Sequence, residues 1–125
     1  MLLIDENARE IAPQEGETLR LTPADNPQDL AGALAKVARV EIEFPKFRDG
    51  RGFSQARVLR ERLGFGGDIR AVGHFIPDQF RFLRDCGFTS FVLPEGRTAA
   101  QFAAVLGGRQ SGQLLRRHLE RAREA

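Results

Sequence analysis

Apolar positions along the chain switch repeatedly between a period of two, the mark of a strand, and a period of three to four, the mark of a helix. Thr18-Leu19-Arg20-Leu21-Thr22 alternates and predicts a strand, which Pro23 ends. Asp25-Asn26-Pro27 is a helix-start signal, and Leu30, Ala33, Leu34 and Val37 follow at helical spacing. Val40 to Phe44 predicts the next strand, with Val40, Ile42 and Phe44 on one face and Glu41 and Glu43 on the other. A loop from Pro45 to Phe53 leads to a helix with Ser54 as its expected N-cap, Phe53, Ala56, Leu59 or Arg60, and Leu63 on one face, and Gly64 as its stop. Ile69 to Val72 predicts a third strand. Asp78 is the expected N-cap of a helix that carries Phe80, Leu83 and Cys86 and stops at Gly87. Ser90 to Leu93 predicts a fourth strand, Thr98 caps a helix to Leu106, and a last helix begins near Ser111 with Leu114, Leu115, Leu119 and Ala122 on one face.

Strand and helix thus alternate four times. The expected fold is α/β, with about four parallel strands alternating with helices, as an open sheet or a half-barrel, plus a C-terminal helix. Residues 1–15 show no clear period; Leu2 to Ile4 and Arg9 to Ile11 suggest an N-terminal arm or ribbon, and residues 16–125 a single α/β domain. If the strands lie in chain order, every helix covers the same face. The other face then stays open, and a homodimer is expected.

Composition narrows the picture. A chain of 125 residues has room for one core. Met1-Leu2-Leu3-Ile4 runs straight into Asp5, so the N-terminus is expected to be neither a signal peptide nor a membrane span. Cys86 is the only cysteine, which excludes an internal disulfide and a multi-cysteine metal site; the cytoplasm is the expected compartment. The net charge of +2 hides an asymmetry: residues 1–45 carry −5 and residues 46–125 carry +7. Arginine supplies 17 of the 19 basic residues, and its planar fork suits carboxylate, phosphate and sulfate-type oxyanions. Acidic residues are interspersed throughout, which favours a solvated surface over a nucleic-acid interface.

Ligands of parallel α/β sheets bind beyond the carboxyl ends of the strands. The first such loop reads Phe44-Pro45-Lys46-Phe47-Arg48-Asp49-Gly50-Arg51-Gly52-Phe53-Ser54. Two glycines, a helix start and three cations in one loop point to an oxyanion site. Its expected residues are Lys46, Arg48, Gly50, Arg51, Gly52 and Ser54, with Arg70 nearby. The plainer alternative is a turn whose glycines serve positive φ. Arg70, on a strand, is expected to expose its head or to pair with an acid, with Asp49 and Asp78 as the candidates. His74 follows the third strand at the ligand edge, where it could serve as a general base or proton donor. Asp49 is the other weak catalytic candidate, although Asp-Gly is a common turn pair. Phe47, Phe53 and Phe75 could line a pocket. Cys86 fits a buried core thiol. Gly50-Arg51-Gly52 lacks the third glycine of a dinucleotide fingerprint, and neither a cofactor nor a metal is implied by any other motif.

The segments F-P-K-F-R-D-G-R-G-F-S-Q-A-R-V-L-R-E-R-L-G-F, I-R-A-V-G and D-Q-F-R-F-L-R-D-C-G-F, between Phe44 and Phe91, resemble a proteobacterial family of unknown function labelled probable oxidoreductases involved in sulfite reduction. The resemblance implies an accessory or binding protein of assimilatory sulfur metabolism, with sulfite reductase as a partner. The family has no established catalytic residues. Its motif positions here include Lys46, Arg48, Asp49, Arg51, Ser54, Arg57, Arg70, Asp78, Gln79 and Cys86. Relatives are longer at the N-terminus, and an acid is more usual where His74 stands. Two other readings remain open: a small enzyme acting on a phosphorylated or sulfur-containing oxyanion metabolite, and a homodimeric structural module without a ligand.

Overall fold

The computed structural model describes residues 2–46 and 48–107. Strands β1 (Leu3–Asp5), β2 (Thr18–Leu21), β3 (Arg39–Phe44), β4 (Asp68–Gly73) and β5 (Ser90–Val92) form one sheet in the order β1-β5-β4-β3-β2. The four strands from β2 to β5 are parallel, as the alternation predicts, and they lie in chain order, which the alternation leaves open. The fifth strand corrects the expected count. Leu3 to Asp5 pairs antiparallel with β5, and Ile4 also bridges to Glu10, so the N-terminal ribbon is hydrogen-bonded to the sheet. Only three residues long, β1 carries too little alternation to be read as a strand.

Helices follow the expected punctuation, with two shifted starts. Asn26 Oδ1 accepts from the Gln28 N–H at 3.1 Å, and a 3₁₀ turn at Pro27–Leu30 leads into α1 (Ala31–Leu34). α2 (Arg51–Arg57) begins three residues before Ser54, which is therefore not its N-cap. It continues as a π-helical turn, Val58–Arg62, and Leu63 N–H closes that turn on the Val58 carbonyl. α3 (Phe80–Cys86) is preceded by a 3₁₀ turn at Pro77–Gln79. The start is held by the Ile76 N–H donating to Gln79 Oε1 at 3.1 Å, so Asp78 sits inside the first turn rather than capping it. Thr98 does cap α4 (Ala99–Gly107): its hydroxyl accepts from Gln101 N–H while Gln101 Oε1 accepts from Thr98 N–H. The last helix expected near Ser111 lies outside the described residues.

One face of the sheet is apolar and carries the core. Leu21, Val40, Ile42, Phe44, Ile69, Ala71 and Phe91 meet Ala56, Leu59, Phe80, Leu83, Cys86 and Phe102 from the helices. Phenylalanines dominate it: Phe80 packs edge-on against Phe91 and Phe102 at 4.8 and 5.3 Å between ring centroids. Cys86 is buried there, and desolvation pushes its thiol pKa up.

The opposite face is polar but not bare. Register sets Arg39 beside Asp68 and Arg70 between Glu41 and Ser90. Asp68 Oδ2 accepts from Arg39 Nε at 3.1 Å, and its carboxylate also accepts from the Thr89 and Ser90 hydroxyls. Arg70 donates to Ser90 Oγ at 3.0 Å and lies 3.8 Å from Glu41 and 3.5 Å from Asp68. Its acid partners are therefore Glu41 and Asp68, not Asp49 or Asp78, because a strand residue meets its cross-strand neighbours first. The chain between β1 and β2, at opposite edges of the sheet, meets this face where Arg39 donates to the Gln14 carbonyl at 3.2 Å. Among the described residues, no helix is long and apolar enough to cross a membrane.

Candidate cationic site at the strand carboxyl ends

The exits of β3 and β4 are locked side by side. Gly73 ends β4 at φ +108°, and a Cβ there would lie 2.4 Å from the Phe44 carbonyl oxygen. Only glycine permits both the turn and the approach. His74 N–H then donates to that same carbonyl at 2.7 Å, which places His74 against the start of the loop leaving β3. A cavity of about 380 Å³ opens between the two exits, lined by Pro45, Lys46, Arg48 and His74. All four are exposed at the surface.

Arg51 and Asp49 are engaged with each other. The Arg51 guanidinium donates to both Asp49 oxygens, at 3.0 and 2.7 Å, and the Arg51 N–H donates to Asp49 Oδ1 at 3.1 Å. The carboxylate thus occupies the helix N-terminus where an external anion was expected. The Arg51 hydrogen bonds hold its pKa down to about 2. An Asp49 that is ionised and doubly hydrogen-bonded at neutral pH has no useful basicity, which removes it as a catalytic candidate.

Gly50 and Gly52 have structural duties. Gly50 is the N-cap of α2 at φ −86°, so neither reading of it, as a close ligand approach or as a positive-φ turn, is needed. Gly52 is buried in α2, where a Cβ would come within 2.6 Å of the Phe44 ring. Its role is close packing of α2 on β3. Ser54 faces a different cavity, of about 280 Å³, together with Arg51 and Gln55. Arg70 lies mid-strand in the polar network described above. Of the aromatic residues near the loop, Phe75 belongs to the core and Phe53 packs between Phe44 and Phe82; Phe47 lies outside the described residues. From the expected set, the fold brings Lys46, Arg48 and His74 together and directs Arg51, Ser54 and Arg70 elsewhere.

Two supporting side chains escape sequence reasoning. Gln55 is buried, and its Nε2 donates to the Thr22 and Asp25 carbonyls at 2.8 Å each, tying the β2 exit to α2. Arg60 gathers the carbonyls of Phe65, Gly67 and Gly87. Their signal is long-range, since neither glutamine nor arginine on a helix announces which loop it will reach. Among the described residues, no cluster of three or more His, Cys, Asp or Glu side chains could hold a metal ion.

No curated protein sequence and no solved structure matches this chain. The profile of a bacterial protein family of unknown function, DUF934, matches residues 18–112, which span every residue lining the cavity; this chain belongs to that family.

Proposed function

We propose that this protein binds a small oxyanion between the exits of β3 and β4, and acts as an accessory protein of sulfite reduction. One observation carries the binding half: Lys46, Arg48 and His74 line a single cavity at the carboxyl ends of two adjacent parallel strands. A lysine, an arginine and an imidazole together carry several N–H donors suited to a tetrahedral or pyramidal anion. The sulfur assignment and the partnership with sulfite reductase rest on the resemblance carried by residues 44–91. The reading as an enzyme on a sulfur-containing or phosphorylated oxyanion draws on His74, which adds a proton carrier to the same cavity.

Calorimetric titration of sulfite and sulfate at low salt tests the binding. The expected result is saturable binding by the wild type, weakened at least about tenfold in Lys46→Ala/Arg48→Ala, because charge-assisted contacts are worth roughly 1.5–3 kcal/mol before exposure discounts them. Equal affinities in the two proteins would refute it. For the pathway, a strain lacking the gene should grow on sulfide but poorly on sulfate and sulfite; unimpaired growth on sulfate would refute a necessary role.

A further inference from the structure

We propose that the N-terminal ribbon is exchanged between two copies of this chain, so that β1 of each copy completes the sheet of the other. The ribbon and the strap that tethers it differ in kind. Leu3 and Ile4 are 2% and 0% exposed, and Ile4 and Ala8 pack into the core. β1 pairs with β5 at Leu3–Val92, Ile4–Phe91 and Asp5–Ser90. The chain then folds back on β1: Asp5 N–H donates to the Arg9 carbonyl and Ile11 N–H to the Leu3 carbonyl, both at 2.9 Å. The ribbon is thus a small hairpin held by its own bonds. The strap after it, residues 12–17, is exposed at every position and crosses the polar face, where Arg39 donates to the Gln14 carbonyl.

The length of the strap makes the case. Ile11 is bonded to β1 at one edge of the sheet; the Glu17 carbonyl accepts from Ala38 and Arg39 N–H at the entry to β3, beside β2 at the other edge. Four strand spacings separate β1 from β2, about 19 Å at roughly 4.8 Å each in a flat sheet. The six steps from Ile11 to Glu17 reach about 20–22 Å at full extension. Closure within one chain therefore takes up almost the whole reach of the strap. Pro13 biases it toward extended backbone, and Gly16, at φ +129°, makes the turn into β2. A short tether without slack favours exchange, because the exchanged form makes the same β1–β5 ladder and frees the strap from spanning its own sheet. The occupant is a second copy because the seat is specific: a ribbon that leaves uncovers the places of Leu3, Ile4 and Ala8, and an identical ribbon refills them in register. The matched family region starts at Thr18, so ribbon and strap both lie outside it.

The test uses two full-length forms, one carrying Leu3→Cys and the other Val92→Cys. Paired strand residues have Cα atoms about 4.5–5.5 Å apart, within disulfide reach. Refolded together and oxidised, the unlike chains should become linked to each other. With both substitutions in one chain, the link should again form between chains. Light scattering of the unsubstituted protein, which depends on no introduced cysteine, should give the mass of two chains. Six Gly/Ser residues inserted between Glu15 and Gly16 should shift it to the mass of one. An unsubstituted protein that scatters as a single chain at every concentration overturns the exchange. So does a link confined to one chain, or a dimer that persists unchanged when the strap is lengthened.

Discussion

The carboxylate of Asp49 grips the guanidinium of Arg51 in two bonds of 3.0 and 2.7 Å and caps the Arg51 N–H at 3.1 Å. The Arg51 guanidinium is thus held within the turn between β3 and α2, and the proposed site rests on the cavity-lining Lys46 and Arg48. Arg51→Ala should leave sulfate affinity within about twofold, whereas Arg48→Ala should reduce it about tenfold. Asp49→Asn removes a negative charge and releases a positive one, so it should raise affinity. Calorimetry on the three variants decides the order.

The same pair predicts an acid dependence. Asp49 titrates at about 2 in the folded protein, below its ordinary value of 3.8. A depressed carboxylate stabilises the folded state above its ordinary value, and the contribution is lost as pH falls toward 2. The Asp49 side-chain carboxyl carbon, followed by NMR, should therefore titrate well below the ordinary aspartate value of 3.8. Titration at that ordinary value would contradict the clasp.

Gly73 and Gly64 both have positive φ but different surroundings. Gly64, at φ +67°, has open space where a Cβ would go, while Gly73 would meet the Phe44 carbonyl. Gly64→Ala should cost about 1 kcal/mol, and Gly73→Ala clearly more, about 3 kcal/mol, in urea unfolding. Gly73→Ala should also weaken sulfate binding, since His74 hangs from that turn.

Asp68 organises the polar sheet face, with Arg39, Arg70, Thr89 and Ser90 around it. Removing it leaves Arg39 and Arg70, each about 95% buried, with less compensating charge. Asp68→Ala should lower stability by about 2–3 kcal/mol, moderated because Asp68 itself is 21% exposed. Arg20→Ala, at the solvated edge of the face, should cost less than about 0.5 kcal/mol. Chemical denaturation of the two variants checks the contrast.

Cys86 lies in the core with its thiol pKa raised by burial. An alkylating reagent at mildly alkaline pH should modify it only when the protein is unfolded in urea. Rapid native-state modification would contradict the packing of α3.

The parallel strands were legible because each pairs a local alternation with a proline or glycine stop, as Val40 to Phe44 does with Pro45. β1 was not, because its strand character comes from pairing with β5 across the chain. The start of α2 was misplaced for a related reason. Ser54 has the side chain of a cap, but Asp49 reaches the helix end first through its bond to Arg51 N–H. In the candidate site, the loop that lines the cavity stood out by its charges and its place at a strand end. Which cations face outward was not, since the Asp49–Arg51 pairing and the cross-strand partners of Arg70 depend on geometry that residue types alone do not fix.

The location of bound anion tests the account most directly. Amide chemical shifts of the full-length protein, followed through a sulfate titration at low salt, should move most at Lys46, Arg48, Gly73 and His74, and little at Arg51, Ser54 or the Arg39–Asp68–Arg70 face. Shifts centred on Arg51 and Ser54, or spread evenly over the basic surface, would contradict it.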